Sequence, residues 1–168
     1  MNAQDDRPES ENQMIQDEFN RLIDDYCHSN HRRKIERITK AFNFANQAHK
    51  GVRRRSGEPY IMHPLAVARI VCNEMGLGST SICCALLHDV VEDTEYTVEN
   101  LRDMFDDKIA QIVDGLTKIS GVFFDKHVSA QAENFRKLLL TMSSDIRVIL
   151  IKLVDRLHNM RTLSSMLP

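Results

Sequence analysis

The chain has 168 residues, of which 42% are hydrophobic and 27% charged, so a folded domain is expected and extensive disorder is excluded. Its formal net charge of -2 provides no overall field that would draw it onto nucleic acid or a membrane. The sequence has no apolar stretch of transmembrane length and no signal peptide, which favours a cytoplasmic protein.

The cysteines favour the same compartment. The chain has four of them, none forms a C-x-x-C pair, and Cys83 and Cys84 are adjacent within an apolar run. This spacing is typical of small core residues in a reducing environment, and it argues against a disulfide framework or a zinc-thiolate site.

Helical periodicity begins after a polar start. Residues 1–10 are expected to be disordered, and with a leading helix they make up an N-terminal part of residues 1–30. Apolar residues at intervals of three and four predict that leading helix over 15–26 and a second helix over 35–48, with Gly51 as its stop. The sequence His63-Pro64 predicts the start of a third helix, because proline favours the first helical position, and Gly76 is expected to follow its end.

The fourth predicted helix is apolar on every side. Ser79 or Thr80 is expected to cap it, and residues 82–87 form a continuous apolar run, as in a helix that is buried all round. We expect this helix to continue directly into "HDVVEDT", residues 88–94. No repeat and no linker interrupts the chain.

The second half is also predicted to be helical. Thr97 is expected to cap a helix ending near Phe105, and a further helix spans 109–116, before a loop over 120–129 and a helix over 130–142. Ser144 or Asp145 caps a last helix, with an apolar stripe formed by Leu150, Leu153, Val154 and Leu157. Because no segment alternates apolar and polar residues as a strand would, we predict an all-α domain.

The acidic segment 88–94 carries the strongest functional signal. On a helix His88 lies over Glu92, and Asp89 lies over Asp93, so like charges meet one turn apart. This arrangement is unfavourable unless water or a cation intervenes, and the apolar run before it argues for a cleft rather than for an open acidic surface.

Two imidazoles and two carboxylates from three predicted helices suit a divalent metal such as manganese, iron or zinc, and they comprise His63, His88, Asp89 and Asp155. Each residue alone has an ordinary alternative: a capping or packed histidine, or a solvated acid beside Arg156. Glu92 and Asp93, one turn further, could act as general bases toward a water molecule.

A basic turn supplies a possible phosphate site. Arg53, Arg54 and Arg55 precede Ser56 and Gly57, and arginine forms bidentate bonds with phosphate oxygens, although an isolated arginine triplet is more often a solvated loop. Asp155, Asn159 and Thr162 form a polar row on the last helix.

Four segments resemble the hydrolase domain of the RelA/SpoT homologues, the bacterial stringent-response enzymes that make and degrade (p)ppGpp. They are "AHKGVRRRSGEPYIMHP" (48–64), "LLHDVVEDT" (86–94), "IVDGLTKIS" (112–120) and "DIRVILIKLVDRLHNMRTL" (145–163). The resemblance covers about residues 31 to 163, in family order.

The resemblance implies an HD-domain helical bundle over residues 31–168. It implies manganese-dependent (Mn2+) removal of the 3′-pyrophosphate of ppGpp or pppGpp, leaving GDP or GTP and pyrophosphate. The residues that match family roles are the metal ligands His63, His88, Asp89 and Asp155, the water-activating pair Glu92 and Asp93, and the nucleotide-binding Arg54, Arg55, Ser56, Asn159 and Thr162.

Two departures from the family pattern leave alternatives open. Arg55 stands where the family usually has lysine, and the family hydrolase domain continues with further helices, so we expect the N-terminal piece of a longer protein that also has synthetase and regulatory domains. An HD phosphohydrolase for another nucleotide and a catalytically silent regulatory module remain the alternatives. Direct nucleic-acid or membrane binding is not expected.

Overall fold

The computed structural model describes residues 7–29, 34–123 and 145–163, with the side chains of all but 121–123. Within these ranges no strand is present, and one isolated β-bridge pairs Arg53 with Pro59. The all-α prediction is therefore confirmed. The helices are α1 (Glu9–Cys27), α2 (Ile35–Ala48), α3 (Met62–Asn73), α4 (Ser79–Leu87), α5 (Val90–Asp93), α6 (Val98–Met104), α7 (Asp107–Phe123) and α8 (Ile146–Leu163).

Helix α4 lies at the centre of the bundle. It packs against α2, α3, α7 and α8, and every residue from Ile82 to Leu87 has no exposed surface. The prediction of a helix buried all round is confirmed, because an apolar circumference is favourable only where neighbours surround it. Cys83 and Cys84 are free thiols in this core, and burial raises the pKa of Cys83 to about 12.

Helices α1 and α2 close one side of the same core. The ring of Phe19 on α1 stacks on that of Phe42 on α2, with centroids 4.1 Å apart, and α1 packs against α3. Helix α1 begins at Glu9, so the expected disorder over 1–10 is wrong for its last residues, while residues 1–6 lie outside the described part. Among the described helices none is both long and apolar enough to span a membrane.

The helix ends depart from prediction where a different residue satisfies the backbone. Pro64 is the third residue of α3, a position that proline tolerates because first-turn N–H groups have no partner within the helix. Gly78 precedes α4, and neither Ser79 nor Thr80 caps it through its side chain. Thr97 does cap α6: its hydroxyl accepts from Asn100 N at 3.2 Å, while Asn100 Oδ1 accepts from Thr97 N at 2.9 Å.

Two predictions about the last helices need correction. Helix α7 continues through Phe123, so the loop predicted over 120–129 does not begin at Ser120; residues 124–129 and the helix predicted over 130–142 lie outside the described residues. Asp145 caps α8 as predicted, since Arg147 N donates to its Oδ1 at 3.0 Å.

The buried face of α8 is only partly the predicted one: Val154 of the predicted stripe is buried, and Leu150 and Leu157 are partly buried. Leu153, assigned to the apolar stripe, is 57% exposed, whereas the residues that face inward are Val148, Ile151, Lys152, Val154 and Asp155. The helix is rotated so that a lysine and an aspartate enter the interior together. Both charges are compensated there by polar partners, which a pattern of hydrophobicity alone does not register.

The turn between α2 and α3 is held by an ion pair with α1. Gly51 and Gly57 both have positive φ, at 83° and 92°, and Gly57 N donates to Arg54 O at 2.9 Å. The guanidinium of Arg53 donates to both carboxylate oxygens of Glu11 on α1, each at 2.8 Å. Arg53 therefore anchors the turn to α1 and presents the residues that follow it toward α8.

Candidate functional site

The four predicted metal ligands come from three places in the bundle. His63 is the second residue of α3, Asp155 lies in α8, and His88 and Asp89 occupy a two-residue break between α4 and α5. All four side chains are buried, with residue exposures between 3% and 9%. The predicted continuous helix through 88–94 is thus interrupted, although Asp93 N still donates to Asp89 O at 2.9 Å.

Three of the four predicted ligands form one compact group. One ligand atom each from His63, His88 and Asp155 lies within 4.8 Å of the other two. His63 Nε2 is 2.6 Å from Asp155 Oδ1, and His88 Nε2 is 3.3 Å from the same oxygen. Asp89 adjoins this group, since its Oδ2 lies 3.0 Å from His88 Nε2.

The surroundings of the two ring nitrogens of His88 indicate whether these side chains could bind a metal. Its Nδ1 lies 2.5 Å from Ala85 O and must donate to that carbonyl, which leaves a lone pair on Nε2. That Nε2 is buried and makes no hydrogen bond with the part of the chain that the structure describes, while two carboxylate oxygens face it. A ring nitrogen and two carboxylate oxygens around one point require a positive charge, which either a proton on Nε2 or a metal ion in its place supplies, so the donor set fits a divalent metal.

The charges around this point agree with that conclusion. Burial lowers the pKa of His88, but the carboxylates of Asp89 and Asp155 outweigh burial and raise it well above the usual value. Burial raises the pKa of Asp89, but His88 and a hydrogen bond from Tyr60 lower it to about 2. The pocket therefore holds ionised carboxylates that attract positive charge.

Tyr60 orients Asp89. The hydroxyl of Tyr60 donates to Asp89 Oδ2 at 2.6 Å, and burial, followed by the charge of Asp89, raises the pKa of the phenol. This hydrogen bond fixes the position of Asp89 Oδ2 next to Tyr60. Behind Tyr60 lies His49, whose ring centroid is 4.9 Å away and whose two buried nitrogens make no hydrogen bond.

Glu92 and Asp93 lie on α5 at the exposed edge of the group. The pKa of each is raised, first by partial burial and also by the negative charge of Asp89. Each carboxylate therefore holds a proton more readily than an isolated acid, which is the property required of a group that accepts a proton from water.

The basic turn meets the end of α8. Arg54 Nη2 donates to Asn159 Oδ1 at 3.0 Å, which brings together two of the residues predicted to bind a nucleotide. Arg55 and Ser56 are exposed, and Arg55 forms no ion pair or hydrogen bond with the described residues. Thr162, one turn beyond His158, donates its hydroxyl hydrogen to His158 O at 3.0 Å.

Sequence reasoning missed His158. Its Nδ1 lies 2.6 Å from His63 Nδ1, with ring centroids 4.8 Å apart, and Arg54 Nη1 lies 3.5 Å away. Burial and the nearby His63 lower the pKa of His158 to about 4. A signal existed in the sequence, since His158 lies three residues after Asp155 and thus on the same helix face.

Comparisons with known proteins agree on the family. Residues 41–168 match the HD domain family. SpoT of Escherichia coli K12, named a bifunctional (p)ppGpp synthase/hydrolase, is 47% identical over 150 residues, covering 89% of this chain and 21% of that protein. A guanosine-3′,5′-bis(diphosphate) 3′-pyrophosphohydrolase of Haemophilus influenzae is 53% identical over 124 residues, covering 74% of this chain and 18% of that protein.

A solved structure has the same arrangement of helices. It belongs to a metazoan orthologue of SpoT described as hydrolysing ppGpp, with a TM-score of 0.61, 26% sequence identity, and coverage of 77% of this chain and 71% of that one. The chain spans about a fifth of the length of the curated relatives it matches, 21% for the Escherichia coli protein. The chain belongs to the HD-domain family and is a homologue of the SpoT-type pyrophosphohydrolases.

Proposed function

We propose that this chain hydrolyses the 3′-pyrophosphate of ppGpp and pppGpp, giving GDP or GTP and pyrophosphate. The observation that carries the proposal is the buried group of His63, His88 and Asp155, whose ligand atoms lie within 4.8 Å of one another. Relatives with this segment are named as guanosine-3′,5′-bis(diphosphate) 3′-pyrophosphohydrolases, and the solved homologue is described as hydrolysing ppGpp.

The ligands we assign are His63, His88, Asp89 and Asp155, and the metal we assign is manganese. Two imidazoles and two carboxylates form a mixed donor set of the kind that borderline and hard divalent ions accept. A bound ion of this kind polarises phosphoryl oxygens and lowers the pKa of water. The Tyr60 hydroxyl donates to Asp89 Oδ2, and His158 Nδ1 contacts His63 Nδ1. Each of these two ligands is therefore oriented by a neighbouring side chain.

Glu92 and Asp93 are assigned to the attacking water. Their raised pKa values suit proton acceptance, and their place on α5 is one turn from His88 and Asp89. The water oxygen attacks the phosphorus attached to the ribose 3′ oxygen and the P–O bond to the ribose breaks. One proton of the water goes to the carboxylate, the water oxygen leaves in pyrophosphate, and the protonated carboxylate returns a proton to the ribose 3′ oxygen, which gives the 3′-hydroxyl of GDP.

The nucleotide is assigned to the turn and the end of α8. Arg55 has no partner among the described residues and is exposed, so its guanidinium is available for phosphate oxygens, and Ser56 is adjacent. Arg54 Nη2 already donates to Asn159 Oδ1 at 3.0 Å, and this bond fixes one wall of the proposed nucleotide site. Thr162 lies one turn from His158 on the same helix. Arginine at position 55 keeps the charge that the family usually supplies through lysine.

The substrate assignment is tested by turnover on a nucleotide panel. The purified chain is incubated with ppGpp, pppGpp and GTP, each with Mn2+ and with EDTA, and products are separated by ion-exchange chromatography. We expect pyrophosphate from ppGpp and pppGpp only, and none with EDTA. Faster turnover of a nucleotide without a 3′-pyrophosphate would contradict the assignment of ppGpp and pppGpp as substrates.

We also propose that the chain acts within a longer cytoplasmic protein with synthetase and regulatory domains. A GTP pyrophosphokinase of Myxococcus xanthus is 48% identical over 135 residues, yet the match covers only 18% of that protein. The free thiols of all four cysteines are in keeping with a reducing compartment. Comparing hydrolysis by this chain with that by the longer protein measures how strongly those domains control the site.

A further inference from the structure

Lys152 is a buried lysine beside the metal group that no step above uses. It lies in α8 three residues before Asp155 and is 9% exposed. Burying an ammonium group costs several kcal/mol unless close partners compensate it. Its partners therefore indicate why a charge is kept at this position.

The first partner is the metal-ligand candidate Asp155. Lys152 Nζ donates to Asp155 Oδ2 at 3.0 Å, while Asp155 Oδ1 faces His63 at 2.6 Å and His88 at 3.3 Å. The two oxygens of the carboxylate are thus divided between the lysine and the imidazoles. Lys152 fixes the rotation of the carboxylate by holding the oxygen that faces away from the group.

The second partner leads to the base candidate. Lys152 Nζ also donates to the hydroxyl of Ser120 on α7 at 2.9 Å, and Ser120 is 8% exposed. A hydroxyl that accepts from an ammonium keeps its own hydrogen for another acceptor. Helix α5, which carries Glu92, packs against α7, and partial burial raises the pKa of Glu92 while the Ser120 hydroxyl and the charge of Lys152 both lower it.

We propose that Lys152 is a positioning residue that holds Asp155 directly and Glu92 through Ser120, and so keeps the metal ligand and the base in a fixed relation. The inference rests on the proposed function for the role of Glu92, but not for the orientation of Asp155. A lysine that served only to join α7 to α8 would affect stability and leave metal affinity and turnover unchanged.

Two variants test separately the contact of Lys152 with Asp155 and its path to Glu92 through Ser120. Lys152→Met keeps a long unbranched side chain but removes the donor, and Ser120→Ala breaks only the path to Glu92. Lys118→Met on α7 is the matched control, since Lys118 is exposed and its ion pair within the described residues is with Asp114, 2.8 Å away. Mn2+ affinity is measured by calorimetry without nucleotide, and kcat and KM are measured with ppGpp, after a circular dichroism melt confirms folding.

We expect Lys152→Met to weaken Mn2+ binding about 10- to 100-fold, as loss of an outer-shell partner does, and also to lower kcat. Ser120→Ala should keep wild-type Mn2+ affinity and KM, with kcat about 10-fold lower. Folded Lys152→Met with wild-type Mn2+ affinity would overturn the orientation of Asp155, and Ser120→Ala with wild-type kcat would overturn the path to Glu92.

The design distinguishes this inference from the proposed function. If the wild-type chain does not hydrolyse ppGpp, the function fails, but weaker Mn2+ binding in Lys152→Met still supports the role of Lys152 toward Asp155. If Lys152→Met does not fold, Lys152→Gln replaces it; its polar but uncharged side chain should also weaken Mn2+ binding, and folded Lys152→Gln with wild-type Mn2+ affinity would overturn the role toward Asp155. Wild-type kcat in Ser120→Ala would still overturn the path to Glu92.

Discussion

His88 shows most clearly how single residues define this site. Its Nδ1 bond to Ala85 O and its unbonded Nε2 fix one tautomer, and the carboxylates that face Nε2 make the position attractive for a cation. The residue types could be predicted from the sequence as a set. The contacts between distant segments could not, because Tyr60 reaches Asp89 from the turn before α3 and His158 of α8 reaches His63 of α3, and only folding makes them neighbours.

Replacing Glu92 separates chemistry from metal binding. Glu92→Gln should keep wild-type Mn2+ affinity and lower kcat on ppGpp by about 100-fold or more, because an amide does not accept the water proton. Glu95→Gln, which changes an exposed acid beyond α5, is the control and should keep wild-type kcat. Calorimetry and steady-state kinetics measure the two quantities, and full activity in Glu92→Gln would remove it from the mechanism.

The pH dependence follows from the raised pKa of Glu92. The base works only when deprotonated, so kcat should fall as pH falls through that pKa and level off above it. The acid limb should therefore lie above the ordinary glutamate value of about 4.3. Rates measured with Mn2+ saturating at each pH test this, and a rate that is flat across the acid range would contradict it.

At the scale of elements, α8 depends on Asp145, the residue that caps its start. Asp145 Oδ1 accepts from Arg147 N, and its carboxylate also pairs with the Arg147 guanidinium and, at 3.3 Å, with Lys108 of α7. Asp145→Ala should lower the free energy of unfolding by about 1 kcal/mol or more, measured by urea titration. Asp114→Ala, in an exposed pair on α7, should change it by less than about 0.5 kcal/mol.

The same contacts set the sign of a pH effect. Hydrogen bonds from Arg147 lower the pKa of Asp145, so the stabilisation is present above the unfolded value of about 3.9 and is lost as pH falls through the folded value. The stability difference between wild type and Asp145→Ala should therefore be full at neutral pH and shrink in acid. A difference that grows in acid would reverse this assignment.

Helices differ in how well the sequence predicts them. The apolar circumference of α4 and the cap of α6 could be predicted, because each depends on residues close in sequence. The orientation of α8 could not, because hydrophobicity places Leu153 inside, whereas Lys152 and Asp155 are buried through bonds to α7 and α3. The break between α4 and α5 likewise depends on contacts with distant residues, those of His88 with Asp155 and of Asp89 with Tyr60.

At the scale of the molecule, the site forms only when α3, α4 and α8 pack together. A metal that binds the folded chain and not the unfolded one should therefore stabilise the whole bundle. Free Mn2+ at about 100 times its Kd should add about 2.7 kcal/mol to the free energy of unfolding. A thermal melt with and without Mn2+ measures the gain, His88→Ala should abolish it, and an equal gain in that variant would place the ion elsewhere.

The most direct test of metal-dependent hydrolysis is the fate of water oxygen. The chain is incubated with ppGpp in 18O-labelled water, with Mn2+ or with EDTA, and GDP and pyrophosphate are analysed by mass spectrometry. The account predicts one 18O atom in pyrophosphate, none in GDP, and no reaction with EDTA. Label in GDP, or release of pyrophosphate that EDTA does not stop, would contradict it.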